Sequence, residues 1–343
     1  MSRVVLVTGV SRYLGGRMAR ILTAEPGIER VIGVDVVPPR QDIGGAEFVR
    51  ADIRNPIISK VIRAASVDTV VHMGVIATPV QAGGRMSMKE INVIGTMQLL
   101  AACQKAPTLE KLVVKSTTAV YGSGPKDPAM FTEEMQPKHP PSSGWAKDSV
   151  EVGGYVRGFA RRRPDVAVTK LRLANFFGPT VDTPMTSYFS LPVIPTVLGY
   201  DARLQFIHED DGLEALRRAV TEDHPGTFNI AGDGILLLSQ AARRAGRPIA
   251  PIPAPMVGLV GAAVRRAGLA DFSPEQVRFL TYGRGVDTTR MRDVFGLHPQ
   301  HTTAETFDEF VRSRTTPRLI PPEKVEAAER QLISLLGRGT AHA

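Results

Sequence analysis

A chain of 343 residues, 43% hydrophobic and 22% charged, has the make-up of a globular protein with one large domain or two intertwined ones. Its single cysteine, Cys103, excludes an intramolecular disulfide and a cysteine-built zinc cage, and fits a reducing, cytoplasmic setting. The formal charge of +8 reads as a solvated basic surface, because Arg161-Arg162-Arg163 and Arg243-Arg244 are short clusters without interleaved aromatics, unlike a nucleic-acid face.

In chain order, Val4-Val5-Leu6-Val7 is a continuous apolar run, the pattern of a parallel strand buried on both faces. It begins at Arg3, which leaves no room for a signal peptide. A glycine-bearing turn follows, and then an amphipathic helix from about Leu14 to Ala24. Val31 to Val34, ending at Asp35, reads as a second strand, and Glu47 to Arg50, ending near Asp52, as a third. Val70 to Met73 and Leu112 to Val114 read as the fourth and fifth. Between those two, Ile91, Ile94, Gln98 and Ala101, backed by Met97 and Leu100, mark a long helix with one apolar face. Cys103 falls in the same stretch and reads as a core thiol.

Helical character over Ser143 to Arg163 precedes another apolar strand, Val166 to Leu171. From Gly178 to Ala202 prolines interrupt any periodicity, as in a loop-rich substrate lobe. Further strands are expected at Phe206-Ile207 and Phe228 to Ile230, with helices around Asp211 to Thr221 and Pro274 to Tyr282. The apolar run Met256 to Val264 suits core burial, and no apolar stretch approaches the roughly 18 residues of a membrane span. Val325, Ala328, Leu332 and Leu335 give the C-terminal tail an amphipathic helix.

Alternating strands and helices imply right-handed crossovers and an α/β fold: a doubly wound parallel Rossmann-type sheet with a smaller C-terminal substrate lobe. The expected boundaries are 1–175 for the dinucleotide-binding domain, completed by about 204–232. The substrate lobe takes 176–203 and 233–314, and the tail 315–343.

The loop Thr8-Gly9-Val10-Ser11-Arg12-Tyr13-Leu14-Gly15-Gly16 joins a strand to a helix, where backbone N–H groups and the helix N-terminus can face a pyrophosphate. Asp35, ending the second strand, is placed to accept both ribose hydroxyls and to repel a 2′-phosphate, which favours NAD over NADP.

At these residues the chain resembles the extended short-chain dehydrogenase/reductases, and among them the NAD-dependent epimerases and dehydratases similar to UDP-galactose 4-epimerase. Thr8 to Gly15 resembles TGxxGxxG, with Arg12 where the family has its middle glycine. Ala51 to Arg54 resembles the Asp-hydrophobic pair at the adenine, Val70 to Val75 the VVHLAA segment, and Asn92 to Thr96 the NVxGT motif. Thr117 to Gly122 resembles SxxVYG, while Lys147 and Glu151 resemble the end of YxxxKxxxE. Arg172 to Pro179, Phe206 to Asp211 and Phe228 to Gly232 resemble RxxNxxGP, FxHVDD and YNIGxG.

The resemblance implies cofactor contacts at Gly9, Ser11, Arg12, Tyr13, Leu14, Gly15, Asp35, Asp52, Ile53, Met73, Gly74, Val75, Asn92, Ser116, Lys147 and Leu173. It implies substrate contacts at Thr78, Thr118, Asn175 and Arg203, no metal, and a homodimer through the two long helices after the fourth and fifth strands. For catalysis it points to Thr117 and Lys147, with Ser143 in the place of the family's tyrosine. An aliphatic hydroxyl is less acidic than a phenol and its side chain is shorter, so the usual proton relay is missing here. Three readings follow: an enzyme with another acid/base group, an NAD-binding sensor or scaffold, or a surface adapted to another nucleotide. His72 and His208, at strand ends, read as structural hydrogen-bonders.

Overall fold

The computed structural model describes residues 3–74, 76, 83–259, 261 and 273–314. Val75, Thr78, part of the Met256–Val264 run and the whole 315–343 tail lie outside the described residues.

The strands of the main sheet are β1 (Arg3–Thr8), β2 (Ile28–Asp35), β3 (Glu47–Arg50), β4 (Thr69–His72), β5 (Lys111–Thr117) and β6 (Ala167–Leu173). Short strands β7 (Asn175–Phe177), β8 (Ile194–Val197), β9 (Arg203–Leu204) and β10 (Phe206–His208) precede β11 (Gly226–Ile230), the seventh member of the sheet. The spatial order is β11-β6-β5-β4-β1-β2-β3 and every pairing is parallel. From β1 the chain runs outward through β2 to β3, then returns to place β4 on the other side of β1. That reversal opens a crevice beyond the carboxyl ends of β1 and β4, where α/β sheets take their ligands.

Strand alternation sends one set of side chains to each face of the sheet. Val5 and Val7 pack with Met18, Ala19 and Leu22 of α1 (Tyr13–Thr23) and Leu213, Leu216 and Val220 of α7 (Glu209–Thr221). Leu6, Val70, Leu112 and Val114 pack on the opposite face. There they meet Ile58 and Ile62 of α2 (Ile57–Ala64), Leu99 and Cys103 of α4 (Thr96–Gln104), and Val152, Val156 and Phe159 of α5 (Gly144–Arg162). Cys103 is buried and free, as its apolar surroundings lead one to expect.

Helix α3 (Arg85–Lys89) runs through a π-helical stretch, Glu90–Gly95, directly into α4. Here the structure departs from the expected apolar face. Leu100 is buried, but Ile94 is 41% and Met97 37% exposed, and Ala101 is exposed too. The side turned to the sheet carries Asn92, Val93, Thr96 and Leu99 instead. Periodicity locates an apolar stripe without saying what covers it, and buried Asn92 and Thr96 are tolerated because both are hydrogen-bonded.

The second lobe has its own aromatic core of Phe177, Phe189, Phe206, Phe307 and Phe310. Phe307 and Phe310 belong to α11 (Thr303–Ser313), whose Thr302–Glu305 capping box starts the helix. The proline-rich stretch after Gly178 holds more order than its sequence suggests. Thr183 caps α6 (Pro184–Phe189) with Pro184 at the first helical position, and β8 pairs with β13 (Ile249–Ile252). Between them come β12 (Leu236–Leu237), paired with β9, and α8 (Leu238–Arg244); α9 (Pro274–Tyr282) and α10 (Thr289–Asp293) complete the lobe.

Candidate functional site

At the crevice, β1 hands over to α1 through a loop built on backbone geometry. Gly9 has φ +76°, a conformation that favours glycine, and its N–H donates to Val34 O at 2.9 Å. Helix α1 passes so close beneath that a Cβ on Gly15 would lie 2.1 Å from Gly9 O. The first helical hydrogen bond comes from Gly16 N to Arg12 O at 2.9 Å, so the N–H groups of Tyr13, Leu14 and Gly15 precede the ladder. No acidic side chain occupies that first turn. The helix therefore presents unpaired donors and a positive dipole end to the crevice.

Asp35 stands at the end of β2 beside this loop. One carboxylate oxygen accepts from Ser11 N at 3.0 Å and the other from Val36 N at 2.7 Å, which leaves each oxygen a further lone pair. The Ser11 hydroxyl donates to Val37 O. Arg12 is exposed at the helix N-cap, within electrostatic range of Asp35, while Tyr13 hydrogen-bonds Thr180 and Arg17. Farther along, Asp52 is bound by Arg54, whose Nη2 lies 2.7 Å away; the guanidinium holds the carboxyl below its usual range. Ile53 packs so tightly on Gly95 that a Cβ there would sit 2.9 Å from it.

Under the crevice a proton ladder ties β1, β4 and the π-helical stretch together. Met73 N donates to Thr8 Oγ1 at 3.2 Å, and Thr8 meets His72 Nδ1 at 2.9 Å. On the other side His72 Nε2 meets Thr96 Oγ1 at 2.9 Å, and Thr96 donates onward to Asn92 O at 2.6 Å. The only proton arrangement that serves both threonines puts hydrogen on Nε2 and leaves Nδ1 an acceptor. Burial, aided by the charge of Lys115, pulls His72 down to about 4, so the imidazole is neutral at pH 7. Asn92 in turn clamps Ile76, accepting from its N at 2.7 Å and donating to its O at 3.1 Å. Its amide also reaches Asp148, a fully buried carboxylate held by two 2.7 Å hydrogen bonds from Arg85. Gly74 has φ +83° and lies against Lys115 O, which a Cβ would approach to 2.5 Å. These residues shape the floor of the crevice, where Asn92 holds Ile76 by two hydrogen bonds.

At the β5–β6 end the crevice deepens into a cavity of about 210 Å³. Lys115, Ser116 and Thr117 line it from β5, Leu173 and Asn175 from the end of β6 and the start of β7, and Leu14 from the first turn of α1. The cavity thus reaches the glycine loop. Thr117 Oγ1 accepts from Ala119 N at 3.1 Å, which leaves its hydroxyl proton to donate into the cavity. Arg284, buried, donates to Gly122 O at 2.7 Å and lies over the Phe279 ring; burial lowers it to about 10.

The face that α5 turns to the cavity carries Trp145, Ala146 and Ser149. Lys147 falls on a different stripe of α5, and Ser143 is the extended N-cap residue just before the helix; both are exposed and neither lines the cavity. Thr118 is buried in the turn after β5, also outside the lining. Arg203 donates to Pro128 O at 3.3 Å, away from the lining, while neighbouring Leu204 is buried. Sequence reasoning missed Lys115. Its signal was a lysine ending the apolar run Leu112 to Val114, just before the Thr117 motif.

His208 is buried. Asp210 N donates to its Nδ1 at 3.2 Å, its ring stacks on His301 with centroids 4.0 Å apart, and Glu309 stands 3.3 Å from Nε2. With Nδ1 already accepting, a neutral ring carries its proton on Nε2, facing Glu309. That Nε2 makes no hydrogen bond in the structure, and His208, His301 and Glu309 lie close enough together to share an ion.

The sequence profile of the NAD dependent epimerase/dehydratase family matches residues 5–231. The chain belongs to that family. It is 50% identical over 340 residues to the uncharacterized protein Rv0501 of Mycobacterium tuberculosis (strain ATCC 25618 / H37Rv), covering 98% of this chain and 90% of that protein. Among solved structures it resembles UDP-glucose 4-epimerase of Thermotoga maritima with UDP-glucose, at a TM-score of 0.70 and 19% identity, over 90% of this chain and 98% of that one. It also resembles DesIV, a dTDP-glucose 4,6-dehydratase of Streptomyces venezuelae with NAD and TYD bound, at a TM-score of 0.67 and 22% identity. That match covers 90% of this chain and 96% of the dehydratase. At these identities the two structures speak for the shared fold.

NAD is the cofactor of the family, and the crevice fits it: the open N–H groups of α1 suit a diphosphate, and the remaining lone pairs of Asp35 suit a ribose diol. Among the described residues no helix is long and apolar enough to cross a membrane.

Proposed function

We infer that this member of the epimerase/dehydratase family is an NAD-dependent enzyme acting on a nucleotide sugar or another small hydroxylated substrate, with a non-standard acid/base group. The observation that carries this reading is the continuity of the cavity. Leu14, in the first turn of α1, lines the same space as Thr117, so a dinucleotide on the loop would present its reactive end beside that hydroxyl. When bound, NAD accepts and returns a hydride. The chain's own residues bind and orient.

In this reading Gly9, Ser11, Arg12, Tyr13, Leu14 and Gly15 face the diphosphate, and Asp35 takes the adenosine ribose. Asp52 and Ile53 border the adenine; Met73 and Gly74 run beneath the cofactor, Asn92 holds nearby Ile76, and Val75, outside the described residues, is a further candidate. Ser116 and Leu173 flank the nicotinamide end, and Lys147, exposed on α5, is the candidate for its ribose. Thr117 orients the substrate hydroxyl, Asn175 contacts the substrate, Thr118 and Arg203 are candidates outside the cavity lining, and Thr78, outside the described residues, is a further candidate. Arg12 stands where close relatives of the fold would have glycine, and a guanidinium there can cover phosphate charge.

A second reading, a catalytically impaired NAD-binding regulator or scaffold, is favoured by one observation: Ser143, in the tyrosine's place, and Lys147 are both exposed and outside the cavity lining. Calorimetric titration with NAD and NADP, followed by assay of UDP-glucose conversion, separates the two. We expect NAD to bind at least about tenfold more tightly than NADP, since the Asp35 carboxylate repels a 2′-phosphate, and UDP-glucose to be turned over. NAD binding without turnover of any sugar nucleotide favours the regulator, and failure of both dinucleotides to bind overturns the NAD reading.

The exposed Ile94 of the π-helical stretch and Met97 of α4, with Tyr155 on α5, are the surface we assign to pairing of two copies.

A further inference from the structure

The enzyme reading leaves one chemical gap. A substrate hydroxyl that is oxidised must give up its proton to something, and Ser143 lies exposed outside the cavity. No tyrosine lines the cavity either, and Tyr121 has its hydroxyl engaged with Asn229 and Arg172. Among the described residues, the ionisable side chains that do line it are Lys115, Asp182, Glu275 and Arg284. Three of them already have a polar partner. Asp182 pairs with Arg314 at 2.8 Å, Glu275 accepts from Ser142 N at 3.2 Å, and Arg284 is bonded to Gly122 and Ser123.

Lys115 differs from these. It is half-buried at the end of β5, two residues before Thr117 and therefore on the same side of the strand, about 7 Å along it. Its Nζ lies 5.6 Å from the centroid of the Phe176 ring, and no carboxylate pairs with it among the described residues. The groups around it are the Arg12 guanidinium from the N-cap of α1, the neutral His72 imidazole from β4 and the Phe176 face from β7. None of these is an anion. A strand neighbour with a hydroxyl and an amine without a counter-ion thus converge on one small, largely apolar space.

We propose that Lys115 is the acid/base group of this cavity, exchanging a proton with a substrate hydroxyl that Thr117 orients. This rests on the enzyme reading above and supplies the group that reading lacks. The substrate O–H bond breaks as its proton passes to the neutral amine, and forms again when the ammonium returns it. The electron pair of the adjacent C–H bond leaves and comes back through the family's NAD chemistry, so nothing is consumed. Burial and the Arg12 charge bring the amine down to about 8, which keeps both protonation states populated near neutrality. Lysine suits the task in a way arginine does not, because a guanidinium holds its proton throughout this range.

The test combines competitive acetylation by acetic anhydride between pH 6 and pH 10, read peptide by peptide, with turnover of UDP-glucose in the presence of NAD. Lys115 should half-react near pH 8, whereas surface lysines do so above about 10. Both K115M and K115R should lose turnover by about 100-fold or more while still binding NAD by calorimetry. A Lys115 that titrates with the surface lysines overturns the proposal, and so does a K115R enzyme that keeps its activity, since that would make the side chain a fixed charge. A wild-type protein that binds NAD but converts no sugar nucleotide overturns the enzyme reading instead; half-reaction near pH 8 would still support an amine able to exchange protons.

Discussion

At the β1–α1 end of the crevice the chain presents backbone. Gly9 turns with φ +76°, Gly15 lets α1 approach within a Cβ's reach of Gly9 O, and three N–H groups precede the helical ladder. At the β5–β6 end it presents side chains: Lys115 and Thr117 on one strand face, Leu173 and Asn175 across from them, Trp145 and Ser149 above on α5. The two ends share a floor, the Thr8–His72–Thr96 ladder. A site made of backbone depends on where glycine is allowed. A site made of side chains can exchange its chemistry one residue at a time without disturbing the sheet. This chain illustrates both, with the loop glycines Gly9 and Gly15 in place and an exposed serine at the N-cap of α5 and an exposed lysine on it, where the resemblance led one to look for the catalytic pair.

The sharpest way to break the contrast is Gly15→Ala. A methyl 2.1 Å from Gly9 O must push the helix off the loop. We expect a loss of about 3 kcal/mol in stability, the upper part of the range for overpacking, and NAD affinity reduced about 100-fold in calorimetry. Unchanged NAD binding would mean that the loop geometry is not what holds the diphosphate.

The shared floor carries the next largest effect. His72 is pulled from 6.5 to about 4 by burial in the fold, while the unfolded chain takes up a proton below about 6.5. A folded value depressed in this way means that the unfolded state binds more protons between those limits. Stability is therefore present in full above that window and lost as the pH falls through it, by about 2 kcal/mol at pH 5. Urea unfolding at pH 7.5 and pH 5 measures the loss, and the His72 ring resonance should stay that of a neutral imidazole down to pH 5. A midpoint near 6.5 would show the ladder to be open to water.

Outside both ends, Met97→Glu serves as a control. A charge on the exposed stripe of α4 should shift the mass seen by light scattering from two chains to one and leave NAD affinity within about twofold, as expected for a surface change far from the crevice. A wild-type monomer would remove the pairing role from this face.

Much of the fold was legible in the residues. Val4 to Val7, Val31 to Asp35 and Val70 to Val71 announce buried parallel strands by unbroken apolar runs, and the loop from Thr8 to Gly16 marks the crevice. Helices α2 and α11 were not anticipated. In α2 only Ile58 and Ile62 are buried, and α11 joins a core whose other members, Phe177, Phe189 and Phe206, come from distant parts of the chain. The direction of the long helix before β5 was also hidden. Ile94 and Met97 look like core residues in sequence, yet the sheet receives Asn92 and Thr96, whose polar groups find partners only once β4 and its following loop are in place.

By itself the sequence determined the alternation of strands and helices, the glycine loop and the acidic end of β2, because each of these is written in neighbouring residues through propensity and backbone conformation. Tertiary structure alone decided which side of α5 faces the cavity, which polar groups form the floor, and that Lys115 stands there without a counter-ion. Those outcomes depend on how elements distant along the chain rotate and pack against one another. A residue's environment is set by that packing, and so is its charge.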